Sequence, residues 1–137
     1  MSEYTERIAQ VMGLPNMKTI FKNSPPVDGG ISRGYYTSGT NKITINSWIF
    51  DNDPEYNSYD LMSTVVHELR HAYQESAVNN PEQFIVTEET LSSWQESMDN
   101  YKTSTGFQAE GMDSDKAYEA YRNQAIEKDA RKFAKQY

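Results

Sequence analysis

The sequence predicts a small α+β domain that is mainly helical and carries one β-hairpin beside a long helix. Apolar residues recur at spacings of three and four through several segments, which is typical of amphipathic helices. Residues 31–48 instead resemble two strands around a turn that contains glycine. The length of 137 residues gives room for one modest core, so we expect residues 1–137 to form a single domain.

Composition narrows the classes of partner and the cellular location. The net charge is -7, the sequence pI is about 4.8 and no Lys/Arg cluster is present, so we expect neither nucleic acid nor membrane as a partner. The absence of cysteine rules out disulfides and thiolate metal sites. The first residues lack the profile of a signal peptide, so we expect a protein that is cytoplasmic by default. A protein that is exported by specialised secretion or released by lysis would also lack a signal peptide. We also expect a monomer.

The N-terminal segment predicts a short helix from about Glu3 to Met12, which ends at Gly13-Leu14-Pro15. Residues 17–21 are too few to assign to a helix or a strand. Residues 24–30 contain two prolines and two glycines and therefore predict a loop.

Two extended segments, Ile31 to Tyr36 and Lys42 to Trp48, predict a β-hairpin around a turn with Gly39. Ile43 and Ile45 share one face of the second strand. We expect the stretch from Ile43 to Asn46 to form a sheet edge that can pair with an extended peptide.

A helix from about Tyr59 to Ala77 should follow a polar loop at residues 51–58, with Ser58 or Asp60 as its N-cap. On a helical wheel one broad side of this helix is apolar. This side consists of Leu61, Met62, Val65, Val66, Leu69, Ala72 and Tyr73. The other side contains Asp60, Thr64, His67, His71 and Gln74.

The chain's two histidines, His67 and His71, stand four positions apart in that helix, with Glu68 after the first. Both imidazoles therefore lie on one face, one turn apart, where two nitrogens can bind a single ion. This is the H-E-x-x-H arrangement, in which the histidines bind Zn²⁺ and the glutamate is the catalytic base. The bare pattern also arises by chance, but its place in the middle of an amphipathic helix favours a metal site.

With no further His or Cys, a third protein ligand must be a carboxylate. A helix over residues 87–101 carries its acids on the solvent side or in the first turn, where acids are ordinary. These acids are Glu88, Glu89, Glu96 and Asp99. After a loop at residues 102–112, a last helix should run from Asp113 or Ser114 almost to Tyr137.

Glu127 is the preferred third ligand, because it lies in a stripe of otherwise small or uncharged residues along that last helix. The stripe consists of Ala120, Asn123, Glu127, Ala130 and Ala134. A carboxylate on the buried side of a helix needs a partner, and a metal would supply one. Glu119, near the edge of the stripe, is the alternative ligand, whereas Asp129 falls on the opposite side. A salt bridge to Lys or Arg is the competing explanation for Glu127.

Two segments match a known pattern, the H-E-x-x-H of residues 67–71 and the E-x-x-A-x-x-F-A of residues 127–134. Together they resemble small gluzincin-type metallopeptidases, including the ImmA/IrrE-like proteins, in which the glutamate corresponding to Glu127 is the third zinc ligand. The hairpin before the motif is similar to compact HExxH domains of phage and polymorphic-toxin proteins. The resemblance implies a minimal zincin-like domain. Arg131 stands where the first family usually has Asn, so that family's repressor substrate is not carried over.

The predicted site implies a zinc metallopeptidase, a hydrolase that acts on a peptide or protein substrate. Zinc held by His67, His71 and Glu127 would activate a water, and Glu68 would accept its proton during attack on a peptide carbonyl. Glu68 would then return a proton to the leaving amine. The candidate donors to the developing oxyanion are Tyr35, Tyr36, Tyr118 and Tyr121.

The alternative function is a non-catalytic protein-binding module of zincin-like fold, associated with a phage or a toxin. Such a module would use the groove beside the histidines for a protein partner, with or without metal. Glu68 argues against this alternative, because a structural metal site needs no carboxylate beside its first histidine.

Overall fold

The computed structural model describes residues 2–14, 16–27 and 31–136 of the chain. The expected helix stop at Pro15, the glycines of the loop at residues 24–30 and the expected helix end near Tyr137 lie outside these residues. Within them, seven α-helices and three β-strands follow in the order α1 (Ser2–Val11), β1 (Lys18–Lys22), β2 (Gly34–Tyr36), β3 (Lys42–Asn46), α2 (Ser47–Asn52), α3 (Ser58–Asn79), α4 (Glu88–Asp99), α5 (Ser104–Ala109), α6 (Ser114–Arg122) and α7 (Ala125–Ala134). A 3-10 turn at Pro81–Gln83 precedes α4.

The small α+β class is confirmed by a three-stranded mixed sheet among these helices. The predicted hairpin forms, with β2 antiparallel to β3 and Tyr36 opposite Ile43. Residues 17–21, which the sequence left unassigned, contribute most of β1, and β1 pairs in parallel with the other side of β3. No helix of the described residues is long and apolar enough to cross a membrane.

The expectation that β3 forms a sheet edge is wrong. The strand order is β1-β3-β2, so β3 is the central strand and its backbone groups pair on both sides. Ile43 and Ile45 have no exposed surface, so the side chains of this central strand belong to the core. The edge nearest the H-E-x-x-H motif belongs to β2.

The predicted second strand also ends earlier than Trp48, because the Asn46 side chain caps a helix. Its Oδ1 accepts hydrogen bonds from the backbone N–H groups of Trp48 and Ser24. Its amide donates to the carbonyls of Ser24 and Ser32. A buried asparagine thus turns the chain into α2, which includes the first two residues of the expected loop at residues 51–58.

The long motif helix α3 is confirmed, and its N-cap is Asn57 rather than Ser58 or Asp60. Asn57 Oδ1 accepts from the Asp60 N–H at 3.1 Å, and the Asn57 N–H donates to Asp60 Oδ2 at 3.0 Å. Asp60 is therefore the second half of a capping box.

Helix α3 is buried on more than its apolar side. Met62, expected in the core, is 38% exposed, whereas Gln74, expected on the polar side, is fully buried. Thr64 is buried as well. The reason is that α7 and β2 pack against the side that carries the histidines, so this side faces protein rather than solvent.

The hairpin turn is tied to α3 by one carboxylate. Glu75 accepts hydrogen bonds from the Tyr36 hydroxyl at 3.0 Å and from the Gly39 N–H at 2.7 Å. The Ser38 hydroxyl also donates to it. These contacts hold β2 along the side of α3 that carries the H-E-x-x-H motif.

The prediction of one continuous C-terminal helix is wrong, since α6 and α7 are separate helices. Gln124 is extended between them, and its side chain binds the backbone of Lys102 through both its oxygen and its nitrogen. Asn123 is exposed as a result, and Ala120 is only half-buried. The buried stripe therefore consists of Glu127, Ala130 and Ala134. The expected loop at residues 102–112 contains α5.

We predict that Ala130→Leu destabilises the protein, because Ala130 has no exposed surface where α7 packs on α3. Inserting a larger side chain into a packed core costs about 1–3 kcal/mol. Chemical denaturation would measure the loss. Lys132→Leu, at an exposed position of the same helix, is the matched control. Equal effects of the two substitutions would show that the α3–α7 contact is not close-packed at Ala130.

Candidate metal centre

The structure brings His67, His71 and Glu127 together, as the sequence predicted. The two imidazole Nε2 atoms are 3.2 Å apart. His67 Nε2 lies 3.1 Å from one carboxylate oxygen of Glu127, and His71 Nε2 lies 3.2 Å from the other. Among the described residues these three form the one group of His, Cys, Asp or Glu with the spacing of a metal site.

The spacing of these atoms fits a small divalent cation. Zinc bonds of 2.0–2.1 Å in tetrahedral geometry place neighbouring ligand atoms about 3.4 Å apart, which is close to the distances between these groups. The two Nε2 atoms and the carboxylate oxygens lie close enough to share either protons or a cation. The donor set of two imidazoles and a carboxylate is one that zinc binds in proteins.

The carboxylate of Glu127 is held as an anion. Its residue is 2% exposed, and burial alone would raise the pKa of this carboxyl. The hydrogen bonds and charges of His67 and His71 outweigh burial and hold the pKa of Glu127 well below its usual range. The competing explanation, a salt bridge from Glu127 to Lys or Arg, is not supported, because within residues 2–14, 16–27 and 31–136 the ion-pair partners of Glu127 are the two histidines.

The pKa of His71 shifts in the opposite direction from that of Glu127. Burial alone would lower the pKa of His71, but the hydrogen bond to Glu127 and the charges of Glu68 and Glu127 raise it to about 9. In the metal-free protein the site therefore holds a proton at neutral pH, and that proton must leave when a metal binds.

Glu68 is buried beside the three candidate ligands but is not one of them. Burial raises the pKa of Glu68, against the opposing charges of His71 and His67. The backbone N–H of Tyr36, on β2, donates to its carboxylate. Glu68 is thus held between α3 and the edge strand of the sheet.

A cavity of about 420 Å³ opens beside the site, between β2 and the C-terminal helices. Glu68, His71 and Glu127 lie in its wall, together with all three residues of β2. Tyr101 and Tyr121 also line the wall. A molecule in this cavity would touch two of the three candidate metal ligands, His71 and Glu127, together with Glu68 and the edge strand, whereas His67 is not part of the wall.

The four tyrosines predicted as oxyanion donors do not all reach the cavity. Tyr35, Tyr36 and Tyr121 line it, but the hydroxyl of Tyr36 is already bonded to Glu75. Tyr118 is 55% exposed and is not part of the wall. Burial and the Glu127 charge raise the pKa of Tyr121 to about 12, so its hydroxyl keeps its proton at neutral pH.

Tyr101 belongs to the site although the sequence did not single it out. Its hydroxyl donates to Glu127 Oε2 at 2.9 Å. Burial and the charge of Glu127 raise the pKa of Tyr101 well above its usual range, so it remains a donor. In the sequence it is one more residue at the apolar spacing of the α4 segment, which predicts a core position and gives no sign of a polar contact.

The acids considered as alternatives do not join the candidate ligands. Glu119 is exposed on α6, and the acids of α4 are exposed as expected. The prediction that Asp129 faces away from the site is wrong, because Asp129 forms an ion pair with Arg70 of α3 at 2.7 Å. Helix α7 presents a wider arc to α3 than the stripe of small residues suggested, and Asp129 lies at its border.

Comparison with known proteins gives no match to any family model, curated protein or solved structure.

We predict that the metal-free protein loses stability as the pH rises from about 6.5 to about 9, the interval between the ordinary and the folded pKa of His71. Since the folded pKa is the higher one, the stabilising proton is fully bound below this interval and is lost across it. Denaturant unfolding should show a fall of about 1–3 kcal/mol. Glu127→Gln should flatten the profile and Glu119→Gln should not. An unchanged slope in Glu127→Gln would contradict the assignment.

Proposed function

We propose that the protein is a small zinc metallopeptidase of gluzincin-like type, in which His67, His71 and Glu127 bind one zinc ion and Glu68 is the catalytic base. The observation that carries the proposal is the convergence of two imidazoles and one buried carboxylate from helices α3 and α7, with a second buried carboxyl beside them. The H-E-x-x-H pattern and the E-x-x-A-x-x-F-A segment support the same assignment.

Zinc bound at this site would lower the pKa of a water ligand toward neutrality and polarise a peptide carbonyl. The residues of the chain have to move the protons. Glu68 is suited to this task, because burial raises its pKa while the Tyr36 N–H stabilises its ionised form. Its carboxylate would accept a proton from the attacking water and deliver it to the nitrogen of the leaving amine.

The edge strand β2 is the surface that we assign to the peptide substrate, in place of β3. Tyr35 and Tyr36 lie in the cavity wall, and among the described strands β2 pairs with β3 alone. An extended peptide can add to such an edge through backbone hydrogen bonds, which would place a scissile bond across the cavity from Glu127.

Tyr121 is the preferred donor to the developing oxyanion. It lines the cavity and keeps its proton at neutral pH. Tyr101 has its hydroxyl directed to Glu127, so its first role is to hold that carboxylate in place.

We predict that the wild type, stripped with a chelator and dialysed against zinc, binds about one zinc per chain and that Glu127→Ala loses it. The reason is that two imidazoles alone leave the ion without its anionic ligand. Metal analysis measures the zinc content of the wild type and of the variant. Glu119→Ala, which removes the alternative carboxylate from an exposed position, should retain zinc. Retention of zinc by Glu127→Ala would show that the third ligand lies elsewhere.

We predict that Glu68→Gln retains zinc and the fold but loses hydrolysis of a peptide library by about two orders of magnitude or more. The amide cannot accept a proton from water, and general-base catalysis contributes about 10²–10⁴-fold. Glu89→Gln, at an exposed position of α4, controls for the change of charge. Activity of Glu68→Gln equal to the wild type would exclude its catalytic role.

The alternative, a non-catalytic zincin-like binding module, predicts a different pattern. In that case no peptide of the library would be cut by the wild type, and Glu68→Gln would bind partners in the groove as well as the wild type does. The buried position of Glu68 beside the candidate ligands favours the enzyme, because an ionisable group without a catalytic task is costly to bury there.

A further inference from the structure

We infer that Gln74 is a positioning residue that holds His71 with its hydrogen on Nδ1 and so leaves Nε2 free to bind a metal. The inference rests on the proposed metal centre, and the experiments below separate its failure from the failure of that proposal. It concerns a fully buried side chain that makes hydrogen bonds with both ends of its amide.

The orientation of the Gln74 amide is fixed by its partners. One end of the amide lies 3.0 Å from the carbonyl oxygen of Ile126 and 2.8 Å from Asp129 Oδ2. A carbonyl and a carboxylate can only accept hydrogen bonds, so this end must be the NH₂ group. The oxygen Oε1 must therefore be the end that faces His71.

The orientation of the amide determines which nitrogen of His71 carries the hydrogen. Gln74 Oε1 lies 3.0 Å from His71 Nδ1, and an amide oxygen only accepts. Nδ1 must then be the donor, and in a neutral imidazole Nε2 has the lone pair. Nε2 is the atom that lies 3.2 Å from both His67 Nε2 and Glu127 Oε2.

The acceptor that fixes the amide is itself held in place. Arg70 donates to Asp129 through Nε at 2.7 Å and through a terminal nitrogen at 3.3 Å, and this two-point contact fixes the orientation of the carboxylate. The guanidinium carbon of Arg70 lies 4.3 Å from the ring centre of Phe133 and 4.6 Å from that of Tyr73. A chain of contacts thus runs from an arginine between aromatic rings, through Asp129 and Gln74, to His71.

A purely structural role is the competing explanation, since Gln74 also joins α3 to α7. The two roles use different atoms of the same amide. Positioning of His71 depends on Oε1, whereas the connection to Ile126 and Asp129 depends on Nε2. A substitution that keeps the oxygen and removes the NH₂ group therefore distinguishes them.

The first experiment compares zinc affinity in Gln74→Glu and Gln74→Leu by competition with a chromophoric chelator. Glu keeps an oxygen for the Nδ1 hydrogen and loses the donor to Ile126 and Asp129, whereas Leu loses both. We expect Gln74→Leu to bind zinc about 10–100-fold more weakly than the wild type, as for other outer-shell partners of metal-bound histidines. Gln74→Glu should bind at least tenfold more tightly than Gln74→Leu. Affinity of Gln74→Glu equal to or below that of Gln74→Leu would overturn the inference and support the structural role.

The second experiment needs neither metal nor a variant. Long-range ¹H–¹⁵N NMR of histidine-labelled, metal-free wild type, at a pH that leaves His71 neutral, reports the tautomer directly. A hydrogen on Nδ1 is expected, and a hydrogen on Nε2 would overturn the inference even if both variants failed to fold. Failure of the wild type to bind zinc would instead contradict the proposed metal centre, and the tautomer of His71 would still test whether Nδ1 carries the hydrogen.

Discussion

The arrangement of this protein around its candidate site depends on one interaction, the contact of the buried Glu127 carboxylate with two imidazoles of α3. Without these imidazoles the carboxylate would be a costly anion inside the protein. Without Glu127, His67 and His71 would have no negative partner across from them. The two helices that carry these groups are far apart in sequence, so this contact also closes the long segment that contains α4, α5 and α6.

Sequence patterns were sufficient for the parts of the site that lie within one helix. The spacing of His67 and His71 guarantees a shared face once the segment is helical, and the structure shows that it is. Glu127 could be predicted as the third candidate ligand because it is the one charged residue in a stripe of small or uncharged residues. Gln74 and Asp129 could not be found in this way, since a polar residue at the border of a helix gives no sign of which neighbour will bury it. Their partners are set by the angle at which α7 crosses α3.

The errors in the prediction of the fold have related causes. β1 is too short to show a period, and its pairing with β3 depends on contacts distant in sequence, so nothing local revealed that β3 is central. The break before α7 has a tertiary origin as well, because Gln124 leaves the helical conformation to bind the backbone of Lys102. Helical periodicity continues across such a break, and it therefore cannot show where one helix stops and the next begins.

The break between α6 and α7 has an electrostatic consequence for the candidate ligand. In one continuous helix Glu127 would lie in the interior, where all peptide N–H groups are bonded within the helix. Because α7 begins at Ala125, Glu127 instead lies in its first turn. The first turn of a helix carries the positive end of the helix macrodipole, which favours a negative side chain. The break between α6 and α7, which the periodicity of the sequence does not reveal, therefore places this carboxylate in a favourable electrostatic field. This effect is present whether or not a cation is bound.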